Sequence, residues 1–130
     1  MYIPPGFNTV TPYFFVADAE AFVRFLVHGL GGTETCRTMR PNDLILNVRV
    51  KLGTSTVMVS EATERYKPMA AAYYLYVEDA DASMQQSLAH GAVLEMEVGV
   101  MPHGDRQGGV KDQHGIWWIS QRTIHEPYTP

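Results

Sequence analysis

The residues with the clearest chemical potential lie near the C-terminus, in the stretch HGDRQGGVKDQHGIWWIS from His103 to Ser120. Asp105 and Arg106 are adjacent in a predicted strand, and neighbouring side chains of a strand point to opposite faces. An inward Arg106 would bind a carboxylate or phosphate through two hydrogen bonds, whereas an inward Asp105 would hold a cation or an amide. Only one of the two can enter a cleft, and the sequence leaves open which one.

Two glycines and two tryptophans follow that charged pair. Gly108-Gly109 removes side chains in mid-strand, as happens at a bulge or where another backbone or a ligand comes close. Neither a helix nor a Gly-Lys-Ser/Thr sequence follows, so the pair is no phosphate loop. Trp117 and Trp118 must face opposite sides of the final strand, so one can line a cleft while the other packs in the core. We interpret the stretch as a closing hairpin that also forms one wall of a pocket.

An internal repeat supplies the elements that must position these residues. PYFFVADAEA, residues 12–21, aligns with YYLYVEDADA, residues 73–82. In each copy an aromatic, β-rich run ends at an aspartate, Asp18 or Asp79, which can cap a following helix. Three strands are predicted after each helix: TETCRTM, LILNVRVKL and STVMVS in the first copy, and LEMEVGVM, GDRQGGVK and IWWISQ in the second. In LILNVRVKL the predicted alternation sets Leu44, Leu46, Val48 and Val50 on one face.

The composition is that of an ordinary globular protein, with 45% hydrophobic and 18% charged residues among 130. The net charge of -4 comes without the basic stripe that nucleic-acid binding requires. The sequence has neither a signal-peptide pattern nor an apolar run near the roughly 18 residues of a membrane span. The single cysteine, Cys36, cannot form an internal disulfide and favours a reducing compartment. We therefore expect a cytoplasmic protein with neither nucleic acid nor membrane as a partner.

The repeat, the capped helices after PYFFVAD and YYLYVED and the ending GDRxGGVKDxxGxWW together resemble the vicinal oxygen chelate superfamily. That superfamily includes glyoxalase I, extradiol dioxygenases and bleomycin-resistance proteins, and the resemblance covers Phe7 to about Arg122. It implies one α+β domain over residues 1–130, built from two tandem βαβββ modules, 7–61 and 72–122, with a linker over 62–71. It also implies curved mixed sheets around a cleft, helices on the convex faces, and a homodimer.

Strand alternation within that fold predicts aromatic cleft walls, because residues next to those packed under a helix face the other way. The side chains predicted under the helices are Phe14, Val16, Leu75 and Val77, and those predicted in the cleft are Tyr13, Phe15, Tyr74 and Tyr76. With Asp105, Arg106, Trp117 and Trp118, these four form the candidate ligand-binding set. For each tyrosine the alternative is that the ring only fills space while its hydroxyl reaches water or backbone.

Metal-dependent members of the superfamily carry one ligand on the first and last strand of each module. By alignment those positions fall at Thr11, Val59, Ala72 and Ile119, none of which is a good ligand. A slip of one residue brings in Met58, Ser60, Trp118 and Ser120, which adds no tight divalent site. Glu61 is the only nearby carboxylate, and the five histidines are irregularly spaced. We expect no bound metal and no cofactor.

Two functions from different classes follow. The first is a metal-free binding protein that holds an aromatic or cationic small molecule, in the manner of the bleomycin-resistance relatives. Glu95 and Glu97, on one predicted strand face, could favour a cationic ligand, or they form a solvated face. The second is a glyoxalase-like lyase or isomerase that takes a divalent ion, with ligands from Glu61, His103 or a partner chain. A metal-free acid–base enzyme and a protein-binding module are further alternatives, so the sequence leaves open whether the protein is an enzyme.

Overall fold

The structure, a computed structural model, describes residues 1–127 and divides into two compact units, Met1–Met69 and Ala70–Pro130. Each unit has a four-stranded mixed sheet with its helical segment packed on one face. The predicted α+β fold of two βαβββ modules is therefore confirmed. In the part of the chain that the structure describes, no helix is both long and apolar enough to cross a membrane.

The first unit contains β1 (Tyr13–Val16), α1 (Ala19–Arg24), a π-helical continuation (Phe25–Gly29), β2 (Thr33–Met39), β3 (Ile45–Leu52) and β4 (Ser55–Glu61). Its strand order is β1-β4-β3-β2, with β1 and β4 parallel and the other pairs antiparallel. Asp18 caps the helix as predicted, because its carboxylate accepts a hydrogen bond from the Ala21 amide at 3.1 Å.

The second unit repeats this plan with β5 (Ala71–Tyr76), α2 (Ala80–Ala89), β6 (Val93–Val100), β7 (Asp105–Asp112) and β8 (Gly115–Arg122). Its order is β5-β8-β7-β6, and β5 runs parallel to β8. Asp79 caps α2 through a 3.0 Å hydrogen bond from the Ala82 amide. On α2, Met84 is buried, whereas Leu88 is 36% exposed.

The alternation predicted for β3 is only half correct. Val48 and Val50 are buried on one face, but Leu44 and Leu46, which were predicted on that same face, are exposed and Ile45 is buried instead. The reason is a shift in the pairing between β2 and β3, which passes over Leu46. Such an irregularity moves the residues on its far side to the opposite face of the sheet, and a period of two in the sequence does not reveal it.

The last strand of each unit also anchors the start of the helix in that unit. The Glu61 carboxylate accepts hydrogen bonds from the amides of Asp18 at 3.0 Å and Ala19 at 2.9 Å. The Gln121 side-chain oxygen accepts one from the Ala80 amide at 3.0 Å. Since the first amides of a helix lack partners within the helix, these side chains satisfy groups that otherwise need water. The internal repeat therefore extends to this contact between strand and helix.

Candidate functional site

The contact between Arg106 and α2 shows which member of the charged pair faces the helix. Arg106 donates two hydrogen bonds to the Asp81 carboxylate on α2, from Nε at 2.7 Å and from Nη2 at 2.9 Å. Arg106 therefore lies on the helix-covered side of the second sheet, and Asp105 lies on the helix-free face. Arg106, which the sequence offered as a candidate ligand contact, is engaged with Asp81 instead.

The two tryptophans divide in the same way. Trp117 is buried on the helix-covered side, where its ring stacks on Tyr73 with centroids 4.8 Å apart. Its Nε1 donates to Asp112 Oδ2 at 3.1 Å, which satisfies the indole N–H. Trp118 lies on the helix-free face. Of this pair only Trp118 is placed to contact a molecule on that face, and Trp117 has a structural role.

The Gly108-Gly109 pair makes room for one side chain on each face of β7. A Cβ at Gly108 would come within 2.5 Å of the Met84 side chain on α2. A Cβ at Gly109 would come within 2.5 Å of the Trp118 ring on the opposite face. The pairing of β7 with β8 runs through both glycines without a shift. The glycines thus allow the helix and the Trp118 ring to lie close against the sheet.

Replacing Gly109 with alanine is expected to lower the free energy of unfolding by about 1–3 kcal/mol, because the new methyl group overlaps the Trp118 ring. Urea titrations followed by far-UV circular dichroism would measure the loss. In the double variant Gly109→Ala/Trp118→Leu the smaller side chain relieves the overlap. The double variant should therefore lose less stability than the sum of the losses in Gly109→Ala and Trp118→Leu. A loss equal to that sum would contradict the contact.

The helix-free face of the second sheet carries an open aromatic platform, formed by Tyr74, Tyr76 and Trp118. The two tyrosines are 54% and 53% exposed, and their rings are stacked with centroids 6.4 Å apart and planes inclined by 21°. Tyr74 is the direct partner of Trp118 in the parallel β5–β8 pairing, so both side chains project from the same face. The sequence predicted this side of the strand for both tyrosines.

A buried carboxylate holds one end of this platform. The Asp105 side chain is 0% exposed, and its Oδ2 accepts a hydrogen bond from the Tyr76 hydroxyl at 2.8 Å. Its Oδ1 accepts one from Arg122 Nη1 at 3.0 Å, and His103 Nε2 lies 3.4 Å from Oδ2. Burial acts to raise the pKa of Asp105, but the hydrogen bonds from Arg122 and Tyr76 outweigh it and lower the pKa. Asp105 therefore orients Tyr76, and the cation it holds belongs to the protein itself.

Arg122 is a member of this cluster that the sequence analysis missed. Besides Asp105, its guanidinium donates to the carbonyl oxygens of His103 at 2.7 Å, Glu126 at 2.6 Å and Pro127 at 3.1 Å. The available signal was the tight turn between β7 and β8, because pairing outward from that turn places Arg122 opposite Asp105. Arg122 thereby ties the segment after β8 to the buried carboxylate.

The first unit also carries aromatic rings on its helix-free face. Phe14 packs against Phe22 of α1, so its strand neighbours Tyr13 and Phe15 point away from the helix, as the sequence predicted. The rings of Tyr13 and Phe15 lie 4.8 Å apart, and Phe15 stacks on Tyr66 at 5.2 Å. Tyr66 belongs to the predicted linker and was not among the candidates, because nothing in its local sequence indicates where that segment folds back.

A pocket of about 330 Å³ opens in the first unit beneath the N-terminal residues. We call it the N-terminal pocket; it is lined by Tyr2, Ile3, Pro4, Phe7, Asn8, Thr9, Thr11, Arg49 and Met58. Thr56 fastens the overlying segment, since its hydroxyl donates to the Gly6 carbonyl at 2.7 Å. The sequence analysis did not predict this pocket, because chain segments without periodicity give no indication of what they cover.

Of the four positions that the resemblance implies for metal ligands, Thr11, Val59, Ala72 and Ile119, none supplies a strong metal ligand. Val59 and Ile119 are fully buried in the helix-side cores, and Glu61 is committed to the start of α1. Over residues 1–127, no group of three His, Cys, Asp or Glu side chains is placed to share an ion.

Glu95 and Glu97 are exposed, and irregular pairing along β6 means that alternation no longer assigns them to one face.

Comparison with known proteins gives likeness in structure alone. No protein-family model and no curated protein matches this chain. TioX from Micromonospora sp. ML1 superposes with a TM-score of 0.73 at 22% identity, over 92% of this chain and 100% of that one. TnmS3 from Streptomyces sp. CB03234, described as an antibiotic binding protein, gives a TM-score of 0.70 at 17% identity, over 94% and 98%.

A glyoxalase/bleomycin resistance protein/dioxygenase family enzyme from Burkholderia phytofirmans PsJN gives a TM-score of 0.69 at 16% identity, over 86% of this chain and 95% of that one. Together these structures confirm that the chain has the vicinal oxygen chelate fold, as the sequence predicted. Because a fold of this kind hosts many chemistries, the function has to be argued from the side chains described above.

Proposed function

We propose that the protein binds a flat aromatic small molecule on the aromatic platform of the second unit, without a metal. The observation that carries the proposal is the pair of stacked, half-exposed rings of Tyr74 and Tyr76 beside Trp118. A ligand ring stacked on such side chains gains about 0.5–1.5 kcal/mol per pair beyond the burial of apolar area. Several rings acting together supply useful affinity.

The platform is held in place before any ligand arrives. The hydroxyl of Tyr76 is fixed by the buried carboxylate of Asp105, and Gly109 allows the Trp118 ring to lie against the sheet. Side chains ordered in advance lose less conformational entropy when a ligand binds. This arrangement supports a role in recognition rather than the filling of space alone.

The charge of the preferred ligand follows from the same cluster. Arg122 compensates the charge of Asp105, so attraction for a cation has to come from the faces of the exposed tyrosine rings and from the net charge of -4. We therefore propose an aromatic cation as the preferred class. The antibiotic-binding description of TnmS3 supports small-molecule binding as a use of this fold.

The expected result with proflavine, a planar aromatic cation, is saturable binding that the Tyr76→Ala variant weakens by about 5–10-fold, the equivalent of one lost stacking contact. Tyr74→Ala should weaken it by a similar factor. Fluorescence titration of the dye at constant ionic strength measures the dissociation constants. Spermidine, which is cationic but not aromatic, should bind far more weakly than proflavine.

Leu88→Ala is the matched control, because Leu88 is part-exposed and belongs to the same unit but lies on α2. It should leave proflavine affinity unchanged. The platform would not be the binding surface if Tyr74→Ala, Tyr76→Ala and Leu88→Ala all bound proflavine with the affinity of the unmodified protein. The absence of saturable binding to the unmodified protein would show the same.

Three further parts of the proposal concern the metal content, the oligomeric state and the location of the protein. Elemental analysis should find far less than one tightly bound metal ion per chain, and a full equivalent would overturn the metal-free assignment. Light scattering should give the mass of the homodimer that the resemblance implies, and a monomer mass would exclude it. Fractionation of the source cells should recover the protein with the cytoplasm, where Cys36, exposed here, would stay reduced.

A further inference from the structure

We infer that the N-terminal pocket of the first unit is a binding site for a small aromatic carboxylate, with Arg49 as the group that receives the carboxylate. This inference does not depend on the aromatic platform of the second unit. It starts from a charge for which the described chain supplies no countercharge, inside a cavity large enough for a small molecule.

Arg49 differs from the other part-buried arginines. Arg106 and Arg122 each contact an aspartate, and Arg40 donates to the Glu61 carbonyl oxygen at 2.7 Å. Within residues 1–127, the side chain of Arg49 has neither a carboxylate nor a hydrogen-bond acceptor, although its Nε is shielded from solvent. A part-buried guanidinium without a countercharge is unfavourable, so an anion that enters the pocket gains from pairing with it.

The walls of the N-terminal pocket indicate what the rest of the ligand looks like. Phe7 lies against the guanidinium, with Arg49 Cζ 5.4 Å from the ring centroid, and Ile3 and Met58 add apolar surface. Apart from Arg49, the polar lining is neutral and includes Asn8, Thr9 and Thr11, and none of the lining residues is acidic. The volume of about 330 Å³ is at the lower end of small-molecule sites. An apolar, flat body with one anionic group matches these walls.

A carboxylate fits this charge better than a phosphate does. The pocket offers one guanidinium, whose two parallel N–H groups pair with the two oxygens of a carboxylate and balance its single negative charge. A phosphate monoester carries nearly two charges at neutral pH and would bring an uncompensated charge into a mainly apolar cavity.

The test uses 2-naphthoate as the probe and 2-naphthamide as its uncharged counterpart of the same shape, titrated into the full chain by isothermal calorimetry. We expect saturable binding of naphthoate and at least about tenfold weaker binding of naphthamide. Arg49→Gln should lower naphthoate affinity to the naphthamide level. Arg49→Lys should retain part of it, because the charge remains while the paired geometry is lost.

Arg24→Gln is the matched control, since Arg24 is an exposed arginine on α1 of the same unit, and it should leave naphthoate affinity unchanged. Circular dichroism of each variant establishes that it is folded. Absence of naphthoate binding to the unmodified protein, equal affinity for the amide, or full affinity in folded Arg49→Gln would each overturn the inference. The inference would also be overturned if the unmodified protein did not bind naphthoate and Arg49→Gln converted a dimer into a monomer. Arg49 would then serve a contact between two protein chains.

Discussion

Replacing Gly115 with alanine is expected to lower the free energy of unfolding by about 2–5 kcal/mol. Gly115 begins β8 with φ +150°, and a Cβ there would overlap the carbonyl oxygen of Ala71, its partner in the parallel β5–β8 pairing. The obstacle is backbone rather than a flexible side chain. Relief therefore requires β5 and β8 to separate at their first pair. Urea unfolding followed by tryptophan fluorescence would measure the change.

Gly53→Ala is the control for that experiment. Gly53 also has a positive φ, +58°, but a Cβ there meets nothing within 4 Å. Its replacement should cost only the backbone strain of a left-handed alanine, about 1–2 kcal/mol. If the two variants lose the same stability, the close approach at Ala71 is not what makes glycine necessary at position 115.

The second large effect is expected from Asp105→Asn, which should destabilise the protein by about 2–4 kcal/mol at neutral pH. The substitution keeps the shape but removes the charge that Arg122 and Tyr76 share. The lower part of the range applies if water reaches Arg122, whose side chain is 25% exposed. Asp81→Asn is the matched control, because Asp81 also pairs with an arginine but is exposed, and its replacement should change stability much less.

The Asp105 effect should also depend on pH. The pKa of this carboxyl group is lower in the folded protein than its ordinary value of 3.8, so folding favours the ionised form. The resulting stabilisation is fully present above about pH 4 and is lost as the pH falls through the folded pKa. The gap in unfolding free energy between the parent protein and Asp105→Asn should therefore narrow between pH 7 and pH 3. A gap that stays constant over this interval would mean that the charge of Asp105 contributes nothing.

Much of the fold could be predicted because the sequence repeats its own signals. The capping aspartates Asp18 and Asp79 and the aromatic strands before them mark equivalent starts of the two modules, and both caps form as expected. Register was harder to predict. The shift at Leu46 depends on how β2 pairs with β3, and pairing between strands leaves no trace in the alternation of either strand alone.

The candidate site could be predicted in part, because alternation along a strand indicates which side chains share a face. Alternation placed Tyr74 and Tyr76 on the side away from the helix, and it required that the side chains of Asp105 and Arg106 project from opposite faces of the strand. It could not say which of that pair faces the helix, because the answer depends on the contact between Arg106 and Asp81, 25 residues apart. The alternation of β3 did not single out Arg49. Its isolation follows from the N-terminal segment that folds over it, which no local pattern indicates.

The parallel pairing of first and last strands has a consequence for synthesis of the chain. In the described part of the chain β4 is the strand that pairs with β1, so a nascent chain that has emerged only as far as β3 holds Phe14 and Val16 with no neighbouring strand beside them. The amides at the start of α1 likewise lack their hydrogen-bond acceptor until the carboxylate of Glu61, the final residue of β4, has been synthesised. The first module should therefore close in a single late step once Glu61 clears the ribosome, and until then its exposed strand is a target for chaperones.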